Sequence, residues 1–331
     1  MIHYSKLKAL IVEDFTEFAR AVSTMLRDMG ISHTDTVTSA EAAIQACREH
    51  KYDIILSDYN LGPQKDGQQL LEELIEFNLI KPKTTFVMVT AEKNAAMVMA
   101  AIEFLPDAYV TKPFNRHLLK SKLDKAIAKK QTLEPIKIAM RKCQWMKAIE
   151  LCANVANQNP KYKNTCNQLK MKCLIANEQL DEAGQFIKQL QKKRCAPWVL
   201  RSQGIILYKQ QELDQSIECF NRLIHDYPMY LEGYDWLAKI QHQLNRPIEA
   251  QKTLQKAVLR SPKLIKRQKL LGGLAEQNND INSMTEAYRQ AVKYGEHSVF
   301  RSAEEYVKLT KSIGLQLKGD AGRQRKTNRR G

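Results

Sequence analysis

The chain has 331 residues, 44% of them apolar and 27% charged, the balance of a globular protein long enough for two or three domains that each bury a core. No apolar run approaches the roughly 20 residues that span a bilayer. The opening Met1-Ile2-His3-Tyr4-Ser5-Lys6 lacks the basic-then-apolar layout of a secretion signal, so a cytoplasmic protein without a membrane partner is expected. The net charge of +16 is unevenly placed: residues 1–128 hold 15 Lys/Arg against 17 Asp/Glu, and the remainder 37 against 19. That asymmetry predicts two parts with different partners, the second attracting something acidic. The seven cysteines form no C-x-x-C pair and no histidine has zinc spacing, so reduced, buried thiols are expected.

Lys8 to Val12 is a short apolar, β-branched run suited to the centre of a parallel sheet. Asp14 to Met29 has helical spacing, with Phe18, Val22, Met25 and Met29 on one face and Gly30 as its stop. His33 to Val37 reads as a strand, and Thr38-Ser-Ala-Glu41 has the capping-box form that starts a helix to about Glu49. Tyr52 to Ser57 is the clearest buried strand. A helix follows Asp66-Gly67 with Leu70, Leu71, Leu74 and Phe77 inward. Thr85 to Val89 is a strand, Asn94 to Leu105 a helix, Ala108 to Thr111 a strand, and Arg116 to about Lys130 a helix. Strands alternating with helices predict an α/β fold, a doubly wound parallel five-stranded sheet covered on both faces.

In such sheets ligands gather at the carboxyl ends of the strands. Those ends carry Glu13-Asp14, Asp58, Thr90 and Lys112-Pro113. Three carboxylates in one pocket repel one another at neutral pH, and a hard divalent cation such as Mg²⁺ removes that cost. A carboxylate, a metal, a hydroxyl and an ammonium together suit phosphoryl transfer.

These residues resemble the receiver domains of bacterial two-component response regulators over about residues 6–130. The matching pieces are Ile11-Val-Glu-Asp14, Leu56-Ser-Asp-Tyr59, Val89-Thr-Ala91 and Tyr109-Val-Thr-Lys-Pro-Phe114, with Asp14 and Asp58 separated by 44 positions and Thr90 and Lys112 by 22. The resemblance implies that Asp58 accepts a phosphoryl group from a sensor histidine kinase or a phosphotransfer protein. It implies that Glu13, Asp14, Asp58 and the backbone carbonyl of Asn60 hold Mg²⁺. Lys112 would contact the phosphoryl group, the Lys112–Pro113 bond would be cis, and Thr90 and Tyr109 would rearrange together on activation. Asn60 and Glu92 stand where hydrolysis is tuned in the family. The loop Asn60 to Gly67 is one residue longer than the family's usual form, which touches kinase docking and phosphoryl lifetime.

From Pro135 the strand signal stops and helical periodicity continues. A shift of 34 residues aligns Gly204 with Ala238 and Gly272, Ser216 with Ala250 and Met284, Phe220 with Leu254 and Tyr288, and Leu223 with Ala257 and Ala291. Earlier copies are less regular: Ala148, Cys152 and Val155 fit one, and Ala183, Ile187 and Leu190 fit another one residue out of phase. Small residues let paired helices approach and large ones fill the gap to the next pair, so the pairs stack as an all-α helical-repeat solenoid. This resembles tetratricopeptide repeats, whose solenoids bind peptide segments of protein partners in a concave groove. The domains expected are therefore 6–130, a helical-repeat domain at 135–313 ending in an amphipathic helix near Arg301–Ile313, and a basic disordered tail at 318–331.

The resulting expectation is a phosphorelay protein, not an enzyme, in which phosphorylation of Asp58 controls protein binding by the repeats. The alternative is a phosphorylation-controlled regulator that binds nucleic acid through its basic half, although no helix-turn-helix signature supports it.

Overall fold

The computed structural model describes residues 2–91, 106–191 and 196–327. The expected helix at Asn94–Leu105, with Glu92 before it, lies outside them. Five parallel strands form one sheet: β1 (Lys8–Val12), β2 (His33–Val37), β3 (Ile54–Asp58), β4 (Thr85–Thr90) and β5 (Ala108–Thr111), in the order β2-β1-β3-β4-β5. β1, β3 and β4 are central, and all but the first residue of β1 are buried, as uninterrupted apolar runs require when both faces are covered. The register pairs Val12 with Ser57, Asp58 with Val89 and Thr90 with Thr111, which brings the residues after each strand to one edge.

Helices α1 (Thr16–Asp28), α2 (Ala40–Glu49) and α3 (Gly67–Glu76) cover the sheet. Ala19, Val22 and Leu26 of α1 pack with Ile11, Leu56 and Val89 on one face, and Leu70, Leu71 and Leu74 of α3 pack with Leu10, Ile55 and Met88 on the other. Ser39, not Thr38, caps α2, its side chain accepting from Ala42 N. α3 begins with a full capping box, Asp66 with Gln69. Phe77 falls on the residue that closes α3 and is exposed rather than inward.

The helix after β5 differs from expectation. α4 (Arg116–Arg141) runs unbroken through Pro135, whereas the sequence reading ends it near Lys130. Its first half puts Leu119, Leu123 and Ile127 into the core of the sheet, and its second half puts Leu133, Ile136 and Ala139 into the core of the helices that follow. An interior proline costs about 3 kcal/mol. Full burial of two side chains the size of Leu133 and Ile136 returns about 1.5–3 kcal/mol each, so packing outweighs the lost hydrogen bond. The chain divides into two compact units, Met1–Gln179 and Leu180–Gly331, and α4 spans 130–135, its first half in one core and its second half in another.

The first unit ends with α5 (Trp145–Gln158) and α6 (Lys163–Ala176). The second holds α7 (Leu180–Gln191), α8 (Pro197–Lys209), α9 (Leu213–Asp226), α10 (Glu232–Gln243), α11 (Pro247–Arg260), α12 (Ile265–Gln277), α13 (Ile281–Gly295) and α14 (Ala303–Thr327). α4, α6, α8, α10 and α12 all stop the same way. Cys143, Glu178, Gln211, Asn245 and Asn279 each have φ between 54° and 64°. The next residue donates to the carbonyl five positions back, as in Gln144 N to Ala139 O, Gln179 N to Leu174 O and Glu212 N to Leu207 O at 2.9–3.0 Å. These caps are spaced by 35, 33, 34 and 34 residues, so the phase slip in the early copies is one residue gained and then lost.

Within the pairs, one tight contact recurs. A Cβ on Gly204 would lie 2.7 Å from the Phe220 ring, and one on Gly272 would lie 2.7 Å from Tyr288. Ala238 and Leu254 share a core at the same two positions, and so do Ile136 and Cys152, with the large residue now on the first helix. Phe220 also stacks on Trp236 of the next pair, with centroids 6.0 Å apart. α14 continues to Thr327, beyond the expected end at Ile313 and into the segment expected to be disordered. Once Glu305 and Lys311 anchor it, to Lys269 and Glu276, the Lys-, Arg-, Gln- and Ala-containing sequence extends a helix already nucleated.

Candidate functional site

β1 ends one residue before Glu13, β3 ends on Asp58, β4 on Thr90, and β5 one residue before Lys112. The parallel register therefore delivers all four to one edge of the sheet. Glu13 and Asp58 are buried and Asp14 is exposed. The carboxylates of the three lie within 4.8 Å of one another. Among the described residues this is the only such acidic or metal-ligating cluster.

Lys112 ties the cluster together. Its Nζ donates to Glu13 at 2.8 and 3.0 Å and to Asp58 Oδ2 at 2.7 Å. It also stands 4.2 Å from the centre of the Phe18 ring, which packs edge-on against Phe114. Burial raises the Glu13 carboxyl above the usual range, helped by the negative charge of Asp58 and opposed by Lys112. For Lys112 burial works against the charge, but the hydrogen bonds it donates to Asp58 and Glu13 prevail and the ammonium is held above its ordinary value. The pocket thus has more negative charge than one lysine satisfies.

The flanking loop is fixed by two glycines. Gly62 adopts φ 92°, and Gly67 N donates to Tyr59 O at 2.8 Å. A Cβ on Gly67 would lie 2.2 Å from the carbonyl oxygen of Asp58, so the loop returns against the backbone of the acidic residue itself. Asn60 is exposed, two residues past Asp58. Thr90 is buried, and its carbonyl accepts from Lys112 N at 2.8 Å. Tyr109, the register partner of Met88 on the neighbouring strand, packs against the core with a buried hydroxyl that has no hydrogen-bond partner among the described residues. Burial pushes that phenol well above its usual range. The Lys112–Pro113 bond is cis. Apart from Glu92, which lies outside the described residues, the expected site residues lie at this edge or on the strands that form it. Sequence reading missed the closeness of Gly67 and the Phe18 ring beside Lys112, because neither residue type signals a site by itself.

Residues 9–124 match the model of the response regulator receiver domain. The chain is 31% identical over 119 residues to the chemotaxis protein CheY-3 of Vibrio cholerae, covering 36% of this chain and 90% of that protein. The chain belongs to the response regulator receiver family. It is 30% identical to the chemotaxis protein CheY of Pseudomonas aeruginosa, covering 36% of this chain and 94% of the relative. A solved structure of Vibrio cholerae chemotaxis protein CheY4 aligns at 23% identity and a TM-score of 0.34, over 36% of this chain and 98% of that one. Family membership makes this a phosphorelay signalling component, with a histidine kinase or phosphotransfer protein as its phosphoryl source. Receiver domains bind Mg²⁺ at an acidic pocket, and the three hard carboxylates of Glu13, Asp14 and Asp58, two of them buried, are a donor set that fits it. No described helix is long and apolar enough to cross a membrane.

Proposed function

We propose that Asp58 is the phosphoryl acceptor and that its state controls protein binding by the helices from 135 onward. The observation that carries the first part is the Lys112 ammonium at 2.7 Å from Asp58, beside Glu13 and Asp14. An Asp58 carboxylate oxygen attacks the donor's phosphorus. The phosphorus–nitrogen bond of a phosphohistidine breaks, and the imidazole nitrogen keeps the electron pair and takes a proton from solvent. Glu13, Asp14, Asp58 and the carbonyl of Asn60 would hold Mg²⁺, which supplies charge neutralisation for the phosphoryl oxygens. Lys112 is placed to leave Glu13 for a phosphoryl oxygen, and Thr90 to donate its hydroxyl to another. Tyr109, on the strand beside Thr90, is the readout.

The receiver at 6–130 and a tetratricopeptide-like domain at 135–313 are the functional division we infer. Five left-handed helix ends at a period near 34 residues support the repeat assignment. The link between the two is α4. From Lys112 only Pro113 and Phe114 precede Asn115, whose side chain caps α4 by accepting from Leu118 N at 2.9 Å. Farther along α4, Lys130 pairs with Asp107 at 2.7 Å and donates to the Thr84 carbonyl, holding the helix to the other end of β4. A shift of β5 would therefore be passed to a continuous helix whose far half lies in the core of the helices that follow.

Intact-protein mass measurement after incubation with a small phosphodonor and Mg²⁺ tests the acceptor. One phosphoryl adduct, absent with chelator and in Asp58→Asn, supports the reading. An equal adduct in Asp58→Asn refutes it.

A further inference from the structure

A second concave site lies in the helical unit between α10 and α12. The cavity has a volume of about 690 Å³, with Ala238, Leu254 and Leu274 at its floor and the exposed Leu270 on its wall. That is room for one or two large side chains of a ligand.

Its charge is one-signed once internal pairs are removed. Asp235 is the single carboxylate among the described lining residues, and its two oxygens take Nε and Nη2 of the buried Arg267 at 2.7 Å. Lys269 is paired with Glu305 at 2.8 Å. Lys239 has no such partner among the described residues. Its Nζ stands over the Trp236 and Tyr208 rings, 4.6 and 4.8 Å from their centres, exposed at the mouth of the groove.

Gly273 is the independent observation. Glycine weakens a helix interior relative to alanine, and at Gly272 the Tyr288 ring explains it. At Gly273, in the groove wall, a Cβ would meet nothing within 4 Å. Packing inside the fold does not require glycine there, and its effect is to keep the groove deep so that a ligand can approach the α12 backbone.

We propose that this groove seats a bulky apolar side chain from an acidic peptide segment of a partner protein, a carboxylate of that segment meeting Lys239. The assignment rests on the reading that the helical part binds protein, and adds where and by what chemistry. An apolar floor with one uncompensated cation at its rim complements a segment that mixes a large apolar residue with acids; a polyanion with no apolar group leaves the floor unfilled.

The test is selection of a displayed library of random short peptides on the full chain, followed by titration of the enriched peptide against variants. The expected enrichment is Trp, Phe or Leu within a few positions of Asp or Glu. Gly273→Leu fills the groove, and should weaken the peptide at least about tenfold while the circular-dichroism melt stays cooperative. Lys239→Glu should turn selection toward Lys- and Arg-bearing peptides. No enrichment, enrichment without acidic bias, or unchanged binding in Gly273→Leu overturns the assignment. So does a single-stranded RNA that displaces the peptide and is itself lost in Gly273→Leu. Peptide binding that ignores Gly273→Leu but changes on loading Asp58 with beryllofluoride would reject the groove and leave phosphorylation control standing. Groove binding indifferent to that loading would do the reverse.

Discussion

Lys112 Nζ donates to Asp58 Oδ2 at 2.7 Å while also holding both oxygens of Glu13. One ammonium therefore serves two buried carboxylates, and a third from Asp14 is within reach. Lys112→Met should lower the unfolding free energy in chelator by about 1–3 kcal/mol, because it leaves buried charge unpaired. Added Mg²⁺ should then raise the melting temperature of Lys112→Met more than that of the parent, the cation taking over the neutralisation. Differential scanning calorimetry with and without Mg²⁺ checks both. An equal Mg²⁺ effect in the two proteins would mean that the cation does not enter this pocket.

Gly67→Ala should cost about 1–3 kcal/mol by overpacking, because its Cβ would lie 2.2 Å from the Asp58 carbonyl oxygen. The loop or the end of β3 must shift, so phosphoryl uptake from a small donor should slow as well. A denaturant melt and a time course of adduct formation give the two readings.

Three glycines of the helical part should respond with opposite signs. Gly204→Ala and Gly272→Ala force a methyl group to 2.7 Å from Phe220 and Tyr288, and should destabilise by about 1–3 kcal/mol. Gly273→Ala meets open space and should stabilise by about 0.4–1 kcal/mol through the helix and the unfolded chain. Thermal melts of the three variants decide it.

Asp35 accepts from the Tyr52 hydroxyl at 2.6 Å and pairs with Lys8 at 2.9 Å. The Tyr52 hydrogen bond first, and then Lys8, hold its carboxyl below the usual range. A depressed folded value gives stability that is present above the unfolded pKa and lost as pH falls through the folded one. The melting-temperature difference between the parent and Tyr52→Phe should therefore shrink as pH falls below the ordinary aspartate range. A difference that stays constant in acid would assign the effect of Tyr52 to packing alone.

The receiver sheet was legible because its strands are continuous apolar runs and its functional residues sit at their ends, where parallel pairing must gather them. Lys112 on Glu13 could not be read, since charge sharing depends on side-chain reach. The helical part was half legible. Gly204 with Phe220 and Gly272 with Tyr288 announce themselves by size, but Ile136 with Cys152 puts the large residue on the opposite helix and hides the same contact. The helix ends were hidden too, because Cys143, Glu178 and Gln211 occupy left-handed positions where glycine is the usual signal. The continuation of α4 past Lys130 and through Pro135 was hidden because it rests on tertiary packing, the first half of the helix joining one core and the second half another.

The account stands on α4 carrying the state of Asp58 into the helices beyond it. Hydrogen exchange of the full chain with and without beryllofluoride and Mg²⁺ measures this directly. The expected result is altered protection in the second half of α4 and in α5, beyond Leu133, which disappears in Asp58→Asn and when Lys129 and Gln131 are both replaced by glycine. Changes confined to the loops around Asp58 and to β5, with α5 unaffected, would contradict it.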